Sequence, residues 1–196
     1  MTTPKQERPA ALPEVIRRLR EPPRPPHPCD ASAAVAAILR PSPDGAELLF
    51  IERAQRDGDP WSGHIAFPGG KREPGDKSLL HTAVRETEEE VSLRLSPAAC
   101  LAQLDVVGAA VTGARVVPFV FALEDEHAVA ATSAEVSATL WVPLARLARF
   151  EGAGTFEFER DGKVVVLPCF RLGPHVLWGL TYRMVVQLLQ VVGGAT

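Results

Sequence analysis

Three glutamates stand close together in one short stretch of the sequence: Glu86, Glu89 and Glu90. If this stretch is helical, the spacing i, i+3 and i+4 places their carboxylates on one face, where like charges repel by about 0.2–0.5 kcal/mol per pair. A divalent cation would offset that repulsion, because Mg²⁺ and Mn²⁺ prefer carboxylate oxygens as ligands. The alternative is a solvated acidic helix face, which is a common feature.

The apolar pattern around these glutamates is that of a helix from Ser78 to Val91. The positions that repeat at i, i+4, i+7 and i+11 form one stripe at about 100° per residue: Leu80, Val84, Thr87 and Val91. We predict that this stripe faces the core and that the three glutamates lie on a different face, outside the core.

The loop in front of this helix runs Phe67-Pro68-Gly69-Gly70-Lys71-Arg72-Glu73-Pro74-Gly75-Asp76. Loop and helix together resemble the Nudix box, Gly-x5-Glu-x7-Arg-Glu-U-x-Glu-Glu-x-Gly-U, in which U is an apolar residue. The matching positions are Gly70, Arg85-Glu86, Glu89-Glu90 and Leu93. The order strand, glycine loop and amphipathic helix argues against chance agreement in another fold.

The sequence departs from the box at four points. Asp76 replaces the box glutamate, one extra residue separates it from Arg85, Thr87 takes an apolar position, and Ser92 replaces the last glycine. We expect the first two changes to alter the turn into the helix. Ser92 must end the helix without the freedom of glycine at positive φ.

The resemblance implies a mixed α/β fold, the Nudix-type α/β/α sandwich with a mixed (α+β) sheet. It also implies Mg²⁺ or Mn²⁺ as cofactor and hydrolysis of the diphosphate linkage of a nucleoside-diphosphate derivative. Metal ions neutralise phosphate charge and lower the pKa of a bound water, so such a reaction needs no protein nucleophile.

Residue by residue, the resemblance makes Glu86, Glu89 and Glu90 metal ligands, with a backbone carbonyl of Gly69 or Gly70 as a further ligand. Arg85 is expected to orient a glutamate, because its planar guanidinium can hold a carboxylate through two bonds. An arginine that only decorates the helix surface is the alternative.

The resemblance implies a general base that is either a box glutamate or one from a later loop. Glu135 is the loop candidate, because its place just before a predicted strand is similar to that of late acidic residues in the family. A solvent-facing loop glutamate is the alternative there. Arg53, Lys71 and Arg72 are candidate phosphate contacts or else surface charges. We interpret His64, among apolar residues, as structural.

Outside the box the sequence resembles the coenzyme A diphosphatase subgroup. Leu48-Leu49, Gly63 and the run Phe67 to Gly70 echo that group's marker, and the longer spacing to Arg85 is shared with it. The segment from Leu177 to Arg183 is similar to the group's terminal helix. The resemblance therefore implies coenzyme A or acyl-coenzyme A as substrate.

Against that subgroup, Asp59 stands where its marker has an arginine and two residues are added, so Arg56 is our substitute candidate for substrate binding. Trp178 and Tyr182, four residues apart on an apolar helix, indicate core packing rather than ligand stacking. Two other functions stay open: a Nudix enzyme for ADP-ribose or a nucleoside triphosphate, and a non-catalytic Nudix-fold binding module. The intact box residues argue against the binding module.

The chain has 196 residues, of which 46% are hydrophobic and 23% charged, which suits one compact domain. Residues 1 to 30 hold eight of the 18 prolines, so we predict a Pro-rich N-terminal arm there and the Nudix hydrolase domain over 31–196. Within the arm, Pro13 to Arg20 has the pattern of a short helix.

The net charge of −3 and pI of about 6.0 provide no basic field, so neither nucleic acid nor a membrane is an expected partner. The expected partner is a small-molecule nucleotide substrate, with the protein a monomer or a homodimer. Three cysteines in no zinc or disulfide pattern, and the absence of an apolar leader stretch in the sequence, predict a cytoplasmic location.

Elsewhere the pattern predicts strands over 34–39, 48–52, 101–107, 114–123 and 138–142, and a short strand that ends at Phe67. After a short helix beyond Pro143, a hairpin is predicted over 155–159 and 163–167, turning at Asp161-Gly162. A last helix is predicted over 177–192, and Gly69-Gly70 is predicted to lie in a loop.

Overall fold

The structure, a computed structural model, describes residues 11–55, 62–108, 113–124, 129–160 and 163–193. The helices are α1 (Leu12–Arg20), α2 (Leu79–Val91), α3 (Leu144–Ala148) and α4 (Gly179–Val191). The strands are β1 (Ala33–Ser42), β2 (Gly45–Arg53), β3 (Ile65–Ala66), β4 (Gly69–Lys71), β5 (Cys100–Gln103), β6 (Val107–Gly108), β7 (Arg115–Ala122), β8 (Val136–Pro143), β9 (Ala153–Arg160), β10 (Lys163–Leu172) and β11 (His175–Trp178).

The larger sheet is mixed and has β1 near its centre. The strand order along it is β3-β2-β1-β7-β5, with β4 also paired to β1, β6 to β7 and β8 to β2. The β1 and β7 strands run parallel, whereas β1 and β2 form an antiparallel hairpin in which Leu39 lies opposite Leu48. The strands predicted over 34–39 and 48–52 are thereby confirmed.

Helices cover both faces of this sheet, because alternate residues of its central strands point to opposite sides. On one side Ala36 and Ile38 of β1 pack in a cluster with Ala83 and Val91 of α2. On the other side Ala37 and Leu39 belong to a cluster that includes residues of α1 and α4. This is the α/β/α sandwich predicted from the sequence, and small alanines in β1 let α2 approach the sheet closely.

Helix α2 begins and ends at residues that the sequence singled out. Ser78 accepts a hydrogen bond from the His81 backbone N–H (3.3 Å) and so caps the N-terminus. Ser92 ends the helix at φ 53°, the left-handed conformation that usually belongs to glycine, and its N–H donates to the Glu88 carbonyl. The expectation for Ser92 is confirmed.

Several element boundaries differ from those predicted. Gly69–Lys71, predicted as loop, forms β4, because its backbone pairs with β1 from Ala33 to Val35. Leu177 and Trp178 belong to β11 rather than to the last helix, because the backbone there pairs with β10. The predicted turn at Asp161-Gly162 lies outside the described residues.

The second sheet has three antiparallel strands in the order β11-β10-β9. In it, Val165 of β10 lies opposite Phe158 of β9, and Cys169 lies opposite Trp178 of β11. Residue Trp178 is followed directly by α4, so this sheet leads the chain into the helix that covers the larger sheet.

The predicted N-terminal helix is confirmed as α1, and it is packed on the domain. Leu12, Val15 and Leu19 are at most 6% exposed and lie in the same core cluster as Leu188 of α4. Arg18 also donates to the carbonyl oxygen of Val192 at the end of α4, where a cation is favoured. The boundary between arm and domain at residue 30 stays a prediction, but the helical part of the arm contributes to the core.

No helix within the described ranges is both long and apolar enough to cross a membrane.

The burial of α1 leads to a stability prediction. Replacing fully buried Leu19 with alanine should lower the free energy of unfolding by about 2–5 kcal/mol, because it leaves a cavity in the core. Arg20→Ala, on the exposed side of the same helix, should change it by no more than about 0.5 kcal/mol. Urea denaturation measures both, and equal stability of the two variants would show that α1 is not part of the folded core.

Candidate active site

The candidate site is built where β4 passes over helix α2. Gly69 adopts φ +149° and lies so close to β1 that an added Cβ would be 2.5 Å from the Cα of Val35. An added Cβ at Gly70 would be 2.6 Å from the Cδ of Glu86. Both glycines are therefore required by close approach, the first to the sheet and the second to a glutamate of the helix.

Arg85 is fixed by Asp76, which precedes α2. Its Nε and one terminal nitrogen each donate to a different oxygen of the Asp76 carboxylate, both at 3.1 Å. Asp76 also accepts hydrogen bonds from the Thr82 hydroxyl (2.9 Å) and from the Glu73 backbone N–H (2.9 Å). The Arg85 guanidinium, together with these bonds, holds the pKa of the buried Asp76 carboxyl well below its usual range.

The same guanidinium contacts two of the three glutamates. Arg85 lies 3.0 Å from a carboxylate oxygen of Glu86 and 3.0 Å from one of Glu89. It also donates to the Lys71 carbonyl of β4 at 3.3 Å. Arg85 therefore lies within contact of two box glutamates, while its role in orienting them stays a prediction.

Glu90 differs from its two neighbours because it is only 5% exposed. Its carboxylate accepts a hydrogen bond from the Gly69 backbone N–H at 2.8 Å. The prediction that all three glutamates lie outside the core is thus wrong for Glu90, because β4 covers that part of the helix. Burial raises the pKa of Glu90 to about 7, and the nearby charges of Glu86 and Glu135 act in the same direction.

The three glutamates do not form a ready metal site. Within the part of the chain that the structure describes, no three Asp, Glu, His or Cys side chains converge to hold an ion. Arg85 draws the carboxylates of Glu86 and Glu89 towards itself, while Gly69 holds that of Glu90. The donor chemistry nevertheless fits Mg²⁺ or Mn²⁺, because these ions prefer carboxylate oxygens and three carboxylates lie on this part of α2. Burial raises the pKa of both Glu86 and Glu90.

Glu135 lies near Glu90, as its effect on the Glu90 pKa indicates. The chain before β8 crosses the end of α2, where the Thr132 N–H donates to the Glu90 carbonyl (3.0 Å), and the Glu135 carbonyl then accepts from Ala54 N–H (2.8 Å). The Glu135 residue itself is exposed. The structure thus brings this loop candidate to the box helix, while its role as general base stays a prediction.

Among the candidate phosphate contacts, Arg53 is the one placed close to the glutamates, because its charge acts on the pKa of Glu90. Lys71 and Arg72 are exposed on and just after β4, and Arg72 donates to the Asp76 carbonyl at 3.1 Å. Arg56 lies outside the described residues, as does Asp59.

A cavity of about 140 Å³ adjoins the site between β4 and the first turn of α4. Its lining is apolar except for Arg53 and Thr181, and it includes Gly69, Phe67 and Leu180. The start of α4 therefore forms one wall of the candidate site.

Core packing was predicted for two aromatic residues near α4, and the structure shows it for Tyr182 but not for Trp178. The Tyr182 ring packs on the core residue Phe170, with centroids 5.1 Å apart. Trp178 is half-buried and lies outside the main core, in contact with His64, Phe156 and Phe158.

The sequence interpretation missed two contributors. The sequence marks Asp76 only as a departure from the box, yet it is the anchor of Arg85. An acidic residue at the position of the box glutamate, in front of a helix that carries an arginine, is the signal that was available. The contact from Gly69 N–H to Glu90 had no sequence signal, because it depends on how closely β4 lies over α2.

The Asp76 anchor leads to a pH-dependent prediction. Asp76→Asn should lower the free energy of unfolding at pH 7 by about 1–3 kcal/mol, because a buried, charge-assisted hydrogen-bond network loses its anion. The folded-state pKa of Asp76 is depressed, so its contribution is complete above the unfolded-state pKa of about 4 and is lost as the pH falls below that value.

The difference between wild type and Asp76→Asn should therefore narrow from pH 7 to pH 3, as measured by urea unfolding at each pH. Glu73→Gln, an exposed acidic residue in the same turn, is the matched control and should stay within about 0.5 kcal/mol of wild type. A difference that grows on acidification would contradict the role of Asp76 as anchor.

Comparisons with known proteins agree on one family. The NUDIX domain profile matches residues 31–160. The mitochondrial coenzyme A diphosphatase NUDT8 of Homo sapiens is 34% identical over 169 residues, which cover 85% of this chain and 71% of the human protein. A Nudix hydrolase named NudL from Photorhabdus laumondii is 30% identical over 162 residues, covering 83% of this chain and 84% of the relative.

Solved structures agree at the level of the fold. A MutT/nudix family protein from Enterococcus faecalis superimposes with a TM-score of 0.53 at 19% identity, covering 94% of this chain and 75% of the other. The structure of a NUDIX hydrolase from Alicyclobacillus acidocaldarius gives a TM-score of 0.50 at 18% identity, covering 84% and 93%. The chain belongs to the NUDIX family and is a hydrolase that acts on diphosphate bonds.

Proposed function

We propose that this protein is a metal-dependent diphosphatase that cleaves coenzyme A or acyl-coenzyme A at the diphosphate. The observation that supports coenzyme A as the substrate is the 34% identity, over 85% of the chain, to a protein named as a coenzyme A diphosphatase. The upstream marker residues and the longer box spacing, noted in the sequence, agree with the same subgroup. A cytoplasmic location belongs to the same proposal.

Metal dependence is supported by the charge balance of the site. Asp76, Glu86 and Glu89 share one guanidinium, that of Arg85, while Glu90 is buried and has a raised pKa. A Mg²⁺ or Mn²⁺ ion held by the glutamates would neutralise phosphate charge and lower the pKa of a bound water. A backbone carbonyl at Gly70, next to the Glu86 carboxylate, is the proposed additional ligand.

Two further roles remain, to hold the glutamates in position and to activate the attacking water. Arg85 keeps Glu86 and Glu89 in place through its anchor on Asp76. Glu135, exposed beside Glu90, is our proposed general base, with Glu86 and Glu89 as the box alternatives.

Substrate phosphates need positive charge that the net-negative protein must supply locally. Arg53 is best placed, because it lines the cavity next to Gly69. Lys71 and Arg72 on the exposed side of β4 are proposed as further contacts, and Arg56 is retained as a proposal from the sequence.

The carboxylate prediction concerns the buried glutamate. Glu90→Gln should lower kcat by at least about a hundredfold at saturating Mg²⁺ or Mn²⁺, because it removes an anionic ligand while its remaining carbonyl can still accept from Gly69. Glu88→Gln, an exposed residue on the same helix that pairs with Arg94, should retain wild-type kcat. Full wild-type turnover in excess chelator, or equal kcat in both variants, would refute the assignment.

The substrate prediction is a comparison of kcat/KM. Coenzyme A or an acyl-coenzyme A should exceed ADP-ribose, NADH and nucleoside triphosphates by about tenfold or more, with 3′,5′-ADP and a 4′-phosphopantetheine product resolved by chromatography. The 3′-phosphate should contribute about 1.5–3 kcal/mol through a charge-assisted bond, so 3′-dephospho-coenzyme A should be the poorer substrate. A tenfold preference for ADP-ribose or a nucleoside triphosphate would leave only the family assignment.

A further inference from the structure

One face of the three-stranded sheet carries a row of apolar side chains: Phe156, Phe158, Val165 and Trp178. Val165 lies opposite Phe158, and Cys169, four residues after Val165 on β10, lies opposite Trp178. Residues directly opposite each other share a face, and alternate residues of one strand do so too. These four side chains therefore form one surface, which we call the aromatic strip.

The rings of the strip are in contact but are not sealed in the core. Trp178 is the centre, with Phe156 at 4.7 Å and Phe158 at 4.8 Å between ring centroids. His64 meets the Trp178 ring edge-on at 4.9 Å. All the rings are only half-buried, and Val165 at the end of the strip is 46% exposed. The strip thus presents apolar surface that a ligand can contact.

The aromatic strip is continuous with the candidate active site. Trp178 directly precedes α4, whose residue Thr181 lines the 140 Å³ cavity together with Gly69 and Arg53. Gly69 in turn donates to Glu90 at 2.8 Å. A second connection runs through the backbone, because the His64 carbonyl accepts from the Arg53 N–H at 3.0 Å.

The aromatic strip favours an apolar occupant. Its four side chains carry no charge, whereas Glu157 and Glu159 of β9 alternate with the two phenylalanines and therefore lie on the opposite face of the sheet. Arg171 of β10 shares the face of the strip, and its guanidinium donates to the Thr155 carbonyl at 3.0 Å. An apolar chain gains by leaving water on this surface.

The diphosphate of coenzyme A joins an anionic half to an uncharged half. The nucleotide half carries the anionic 3′-phosphate, while the pantetheine half is uncharged and ends in the thiol that bears the acyl group. Building on the proposed function, we propose that the aromatic strip binds the acyl-pantetheine half and makes the enzyme favour acylated over free coenzyme A.

The test compares two substrates in matched variants. The strip variants are Phe158→Ala and Val165→Ser. The control is Val166→Ser, which alters a valine that is somewhat more exposed (58% against 46% for Val165) and lies on the opposite face of the same strand. For each protein, kcat/KM is measured with octanoyl-coenzyme A and with free coenzyme A. The octanoyl-to-free ratio should fall by about tenfold in Phe158→Ala, because most of the apolar ring surface that the acyl chain would cover is lost.

The ratio should fall by a smaller factor in Val165→Ser and stay unchanged in Val166→Ser. A ratio that is unchanged in the strip variants, or that falls as much in the control, overturns the inference while leaving coenzyme A cleavage intact. If Phe158→Ala does not fold, as judged by circular dichroism, Val165→Ser decides alone. A wild-type protein that cleaves neither substrate would overturn the proposed function, and this inference with it.

Discussion

The two-bond contact between Arg85 and Asp76 is the interaction on which the site depends. One guanidinium serves three carboxylates, those of Asp76, Glu86 and Glu89. Because Asp76 is buried and bonded also to Thr82, it fixes the position of the arginine, and the arginine then fixes the two glutamates. A lysine could not replace Arg85, since a single ammonium lacks the planar arrangement of donors that meets both oxygens of Asp76.

The second constraint is the short distance between β4 and α2. Gly69 and Gly70 have no side chains, so the strand backbone lies directly against β1 on one side and against the helix glutamates on the other. This contact buries Glu90 and gives it a backbone donor, while Glu89 on the same helix remains exposed. Glu89 and Glu90 are adjacent in sequence but differ in exposure, and burial raises the pKa of Glu90.

The box helix and its glutamates could be predicted because the apolar repeat from Leu80 to Val91 and the glycine loop are local patterns, whereas the sandwich was implied by the resemblance to the Nudix box. Even the unusual end of the helix at Ser92 followed from its position in the box. The burial of Glu90 did not, because that depends on pairing between β4 and β1.

Contacts between distant parts of the chain were equally hidden from the sequence. The pattern predicts a loop for β4 and a helix for the end of β11, because the pairing of these segments with β1 and β10 cannot be read from the local sequence. The contacts of Phe156 and Phe158 could not be predicted either. Alternation along a hairpin shows that the two side chains share a face but not what lies over that face.

Helix α1 also bears on how the protein is made. Arg18 of α1 is bonded to Val192, which lies 174 residues later, and Val15 shares a core cluster with Leu188 and Leu189. During synthesis α1 is therefore made long before Val192, and its apolar face is exposed in the nascent chain until residues that cover it have been made. A chaperone that binds growing chains could bind the apolar stripe of Leu12, Val15 and Leu19, which stays exposed at least until β1, β2 and β5, the strands that α1 packs against, have been made.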